Sequence, residues 1–229
     1  MLAWSAHLES KRSPEAPDLN FSSAMGDLSW AMPIAEAMSV SGGLGVQRMW
    51  VADSHFRDAL SMHVDWSLGQ PDGGYWVVSS GVTQNRHPVD YTDLDGQVMS
   101  VSLHRRQPIS GFGLDGIDLE LGYDREENAQ GNADLSQRRA YLRFGVESKV
   151  GKATGSLGVS VAKTRYDASL FPGEAPRRER MLACDLGVEW EVAPGETWAL
   201  DATYAVNKAN SEMFNNRYRN VMLTWSHAW

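Results

Sequence analysis

Three serine–x–histidine pairs carry the residue types most able to do chemistry together: Ser5 with His7, Ser61 with His63, and Ser102 with His104. A serine hydrolase needs a hydroxyl within hydrogen-bond reach of a histidine, and a third group to orient that histidine. On an extended chain, residues two apart share a face, so the spacing allows each pair to meet. The same spacing arises on any polar strand face, and the chain has no GxSxG element. Polar lining is the simpler reading, and no catalytic residue is assigned. Metal chemistry has less support: there is no HExxH, no EF-hand loop and only one cysteine, Cys184. The run DYTDLDG offers Asp90, Asp93 and Asp95 as oxygen ligands for calcium. Its spacing fits no defined ligand pattern, so a solvated acidic loop is expected, with no metal and no cofactor.

The elements that must position these side chains are strands. An apolar period of 3.6 residues is not evident anywhere, whereas period two recurs along the chain. Strands are expected near 2–10, 21–33, 38–51, 58–69, 74–87, 96–108, 116–126, 137–149, 153–166, 179–192, 197–208 and 216–229. One face is apolar, as in Leu182, Cys184, Leu186, Val188, Trp190 and Val192. The other is small or charged, as in Ala183, Asp185, Gly187 and Glu189.

The connections alternate as well. IAEA, QPDG, ISGFGLD, VGKA and APGE are mostly tight, whereas SKRSPEAPDLN, ADSHFR, HPVDYTDLD, EENAQGNADLS, YDASLFPGEAPRRER and KANSEMFNN are mostly longer and more polar. Short turns at one end and long loops at the other match an outer-membrane barrel, with its long loops outside the cell. The fold expected is all-β, an antiparallel up-and-down transmembrane barrel of about 12 strands. Residues 1–229 form a single barrel domain, expected to be a fragment of a longer chain because MLAWSAHLES lacks the marks of a signal peptide. Barrel strands in lipid must leave no free edge, so strand one is expected to pair with strand twelve.

A soluble sandwich is the competing fold. It would have to bury carboxylates on strand after strand, which is costly without partners. Tryptophan also argues for lipid. Trp4, Trp30, Trp66, Trp76, Trp190, Trp198, Trp225 and Trp229 all fall at the short-turn ends, where an interfacial belt would lie, and only Trp50 falls at the other. The polar face is expected to line a lumen through His63, Asp65, Asp118, Glu120, Asp124, Arg139, Arg143, Glu147, Asp185, Glu189 and Asp201, with Lys149, Lys163 and Arg165 opposing some of the acids. These charges either pair into a plug or set the selectivity of a wet passage. The net charge of −8 disfavours a nucleic-acid partner. Arg177, Arg178 and Arg180 make the most basic loop, suited to phosphates of lipopolysaccharide in the outer leaflet.

The stretch RRERMLACDLGVEWEVAPGETWALDATYAVNKANSEMFNNRYRNVMLTWSHAW resembles the end of barrels fused behind tetratricopeptide-type helical repeats, the surface lipoprotein assembly modifier family being the nearest. The barrels of polysaccharide-export proteins are more distant relatives. The resemblance implies bacterial outer-membrane localisation and a non-enzymatic role in translocating or displaying a lipoprotein or polysaccharide client. It also implies more strands than twelve and a helical domain upstream. The closing alternation Val221, Leu223, Trp225, His227 and Trp229 resembles the C-terminal signal read by the barrel assembly machinery. A small diffusion pore is the first alternative function, and an outer-membrane hydrolase with a rim site is the second.

Overall fold

The computed structural model describes residues 2–11, 20–111, 114–170 and 173–227. The strands are β1 Leu2–Lys11, β2 Phe21–Ala35, β3 Met38–Val51, β4 Ser54–Gly69, β5 Tyr75–Arg86 and β6 Gly96–Gly111. They continue with β7 Leu114–Asn128, β8 Gln137–Val150, β9 Ala153–Tyr166, β10 Arg178–Ala193, β11 Glu196–Ala209 and β12 Asn216–His227. All twelve form one sheet in chain order, each antiparallel to the next. The expected up-and-down architecture of twelve antiparallel strands is therefore present, with ends shifted by a few residues.

Register partners on neighbouring antiparallel strands share a face, which makes the two sides of the sheet easy to trace. One row runs Phe144, Val159, Cys184, Tyr204. The row beside it runs Arg143, Ser160, Ala183, Ala205 on the opposite side. The apolar rows are the exposed ones: Leu60 is 57% accessible, Leu186 55% and Leu223 58%. Among the described residues the buried apolar side chains are Val40, Ala162, Ala183 and Ala205, mostly too small to form a core. A water-soluble sandwich would hide its leucines between two sheets. Here they face out and the charged residues face in, which is the inversion a bilayer demands.

At the short-turn end, Gly151 and Gly195 take positive φ (62° and 77°) in two-residue connections after β8 and β10. Between β4 and β5 the turn is closed by the Gly74 amide donating to Asp72 Oδ1 at 3.0 Å, with Gly73 at φ 82°. The other end carries the longer connections. Short 3-10 turns, Val89–Leu94 and Glu212–Phe214, shape two of them.

Two expectations need correction. The segment ADSHFR is not a long loop: Ala52 and Asp53, at φ 48° and 64°, turn the chain directly from β3 into β4. Two successive left-handed residues make a primed turn whose twist matches the strands, so β4 starts at Ser54. The sheet is also not closed: the described pairings end at β1 and β12 and do not join them. The described side chains of β1 and β12 are exposed on both faces, as two separate sheet edges must be.

Candidate functional site on the polar face

The middle of the sheet presents a continuous polar surface from β5 to β11 around a hollow of about 660 Å³. Alternation puts Ser102, His104 and Arg106 of β6 on that side, opposite Gly122, Glu120 and Asp118 of β7. Glu120 in turn faces Arg143 of β8, and Gly116 faces Glu147.

The charges pair across strands. Arg106 is the hub: Nη2 donates to Glu147 Oε1 at 2.8 Å, and Nη1 lies 3.3 Å from Asp118 Oδ2. His104 Nε2 sits 2.8 Å from the other oxygen of Asp118, and the Tyr75 ring meets the His104 ring edge-on at 5.7 Å. Beyond this cluster, Tyr141 Oη donates to Glu120 Oε1 at 2.9 Å, and Thr203 Oγ1 donates to Asp185 Oδ1 at 2.8 Å. These groups are a quarter to a third accessible where they pair (Arg106 26%, Asp118 28%, Glu147 30%), so they remain in reach of a solute in the hollow.

The structure gathers part of the residue set expected from sequence. Asp118, Glu120, Arg143, Glu147, Asp185 and Asp201 line the hollow. His63 and Asp65 lie on the same face of β4, with Nε2 and Oδ2 3.9 Å apart, but outside it. Asp124 and Arg139 are register partners nearer the long-loop end, and Glu189 sits towards the short-turn end beside Thr154. Lys149 holds Asp115 through its backbone amide. Lys163 and Arg165 are corrected: their register partners Ala140 and Arg138 place them on the outward, apolar side. Their charge, not the alternation of β9, accounts for the error, since Val159 and Val161 share their parity.

Arg106 and Tyr75 are the residues that sequence reasoning missed. The signal was present for Arg106, which follows Ser102 and His104 at period two. Of the Ser–x–His pairs, His104 is bound to Asp118, and Ser61–His63 and Ser102–His104 show no hydrogen bond among the described residues. In the acidic loop, Asp95 accepts the His87 amide at 2.6 Å and faces its ring Nδ1 at 3.1 Å. No group of three metal-ligating side chains occurs among the described residues.

On the outward side, Trp190, Trp198 and Trp225 occupy one row across β10, β11 and β12, and the Trp225 indole donates to Glu196 Oε1 at 2.9 Å. Trp66 and Trp76 occupy adjacent rows on β4 and β5, and Trp4 and Trp30 adjacent rows on β1 and β2, all on the same outward side. Val221, Leu223 and Trp225 of the terminal strand face outward opposite Ala202, Leu200 and Trp198. His227 is level with Glu196, and Trp229 lies outside the described residues.

No protein-family model matches the sequence, and no curated protein does. Solved structures with a similar strand layout include the siderophore receptor PirA from Pseudomonas aeruginosa, at 12% identity and a TM-score of 0.48 over 100% of this chain and 40% of that one. OccD3 (OpdP) from the same organism overlaps at 11% identity and 0.49, over 100% of this chain and 69% of that one. The translocator domain of autotransporter NalP from Neisseria meningitidis overlaps at 16% identity and 0.44, over 99% and 87%. The chain thus spans well under half the length of the receptor.

Proposed function

We propose that this chain forms the wall of a bacterial outer-membrane barrel whose polar face conducts a hydrophilic client, without catalysing a reaction on it. The observation that carries the reading is the hollow ringed by Arg106, Asp118, Glu147, Glu120, Arg143 and Asp185 on a sheet whose other side is apolar. Carboxylates, guanidinium groups and hydroxyls, with the Tyr75 ring beside them, suit a hydroxyl-rich chain better than an acyl-bearing one. A polysaccharide therefore fits this lining better than a lipoprotein does. The resemblance of the C-terminal stretch covers both client classes, with the lipoprotein family the nearer, so the choice of a polysaccharide rests on the lining alone.

A diffusion pore is the second reading, favoured by the partial accessibility of the paired charges, which a dry plug would lack. Planar-bilayer conductance of the purified protein separates the two. The client reading expects current that soluble oligosaccharide interrupts, with interruption weakened in Arg106→Ala. A steady open-channel current indifferent to oligosaccharide would overturn it in favour of the pore.

A further inference from the structure

The outward face is not apolar to its upper end. On β9, β10 and β11, directly above Val161, Leu182 and Val206, one row holds Lys163, Arg180 and Lys208 side by side. Arg165 and Arg178 pair in the row above, and Arg217 sits beside Val206 in the row below. All six side chains are exposed. Neighbouring strands lie ~4.8 Å apart, so the central three cations span only ~10 Å. Below them lies an outward groove of about 760 Å³ floored by Leu142, Val161, Leu182 and Val206.

Opposite charge is sparse here: in the row above, Arg138, beside Arg165, pairs with Asp167 at 3.2 Å, but the central row has no such partner among the described residues. Among the described residues, Lys163, Arg165, Arg180 and Lys208 have no carboxylate partner. No aspartate or glutamate faces outward on β9 or β10, and the one on β11 is Glu196, at the far end. The contrast is on the same side of the same sheet: Arg48 of β3 is clamped by Asp58 of β4 at 2.7 and 2.9 Å. Unpaired cations on a lipid-facing wall are costly unless they reach water or an anion. Snorkelling alone would serve one or two lysines. It does not account for a clustered row free of acids above an apolar groove.

We infer that this terrace binds a phosphorylated lipid of the outer leaflet, its phosphate held by Lys163, Arg180 and Lys208 and its acyl chains lying in the groove below. Guanidinium and ammonium groups supply charge-assisted hydrogen bonds to phosphate oxygens. The groove takes the chains in the orientation the bilayer already imposes. This rests on the membrane-barrel reading but not on the client.

The test places the protein in phosphatidylcholine vesicles containing trace spin-labelled lipids and measures relative association of phosphatidic acid against phosphatidylcholine. Selective association of phosphatidic acid is expected, falling roughly fivefold for each of Lys163→Gln, Arg180→Gln and Lys208→Gln. Lys208→Arg should retain it, and inorganic phosphate in solution should not abolish it. An inserted, folded protein without lipid preference, or one whose preference survives the triple glutamine variant, overturns the inference. Loss of preference to dissolved phosphate at millimolar levels also overturns it, by making free phosphate the ligand. Failure to insert into vesicles would instead refute the barrel reading, which keeps the two failures distinct.

Discussion

Arg106 reaches Glu147 across an intervening strand by lying over Gly116. The two residues belong to β6 and β8, and Gly116 of β7 stands between them as the register partner of Glu147. A Cβ at Gly116 would sit 3.2 Å from the Arg106 guanidinium. A side chain there would crowd the guanidinium, and one larger than a methyl would compete for the space the bridge occupies. Gly116→Val should detach Arg106 from Glu147, with a loss of about 1–3 kcal/mol in folding free energy, as for other hydrogen bonds to charged groups. Urea unfolding of the vesicle-reconstituted protein measures this, and Glu147→Gln should cost a comparable amount.

A second glycine makes the same kind of room. A Cβ on Gly122 would fall 2.1 Å from the Tyr141 ring, so the ring lies against the bare backbone of its register partner. Gly122→Ala must push the ring away and break its bond to Glu120. A destabilisation of about 1–3 kcal/mol is expected from overpacking. Tyr141→Phe should relieve only part of it, because the Cβ meets two ring carbons as well as the hydroxyl oxygen.

The two faces of β10 should respond oppositely to charge. Leu186 is outward at the middle of the strand, whereas Asp185 lines the hollow. Leu186→Arg is expected to cost about 2–4 kcal/mol in bilayer stability. Asp185→Arg should cost much less and change ion selectivity instead. Equal destabilisation by both would remove the assignment of faces.

Acid should loosen the loop after β9. Asp167, just beyond the strand, is hydrogen-bonded by Arg125, with Nη2 2.8 Å from Oδ2, and paired with Arg138 at 3.2 Å. The Arg125 hydrogen bond holds its carboxyl below the ordinary range, outweighing the opposing effect of desolvation. A lowered carboxyl pKa means the contact is intact above about pH 4 and is lost as the pH falls below it. Limited proteolysis should therefore cut between 167 and 177 faster in acid, and Asp167→Asn should show the faster rate already at neutral pH.

The strand order and the two faces were legible from period two because alternation is local and each strand reports its own faces. Asp118, Glu120, Arg143, Glu147, Asp185 and Asp201 came out of that pattern directly. The role of Arg106 did not, because the alternation gives its side of the sheet and says nothing of a partner two strands away. Lys163 and Arg165 were misassigned because a charged residue was taken to mark the polar face. On β9 the lipid-facing side ends in cations. The short turn at Ala52–Asp53 was missed for a different reason: neither residue is glycine, and although aspartate tolerates the left-handed region, alanine rarely adopts it.

That turn has a further consequence. The Ala52 amide donates to the Asn20 carbonyl at 2.9 Å, so the tip is pinned to the residue just ahead of β2, the strand that flanks β3 on its other side. With only two residues between β3 and β4, Ala52 and Asp53 stand at the height of those strand ends themselves. A thiol-reactive label at Asp53→Cys, in a Cys184→Ser background, would then act as a tide mark, reporting where the outer water level meets the wall.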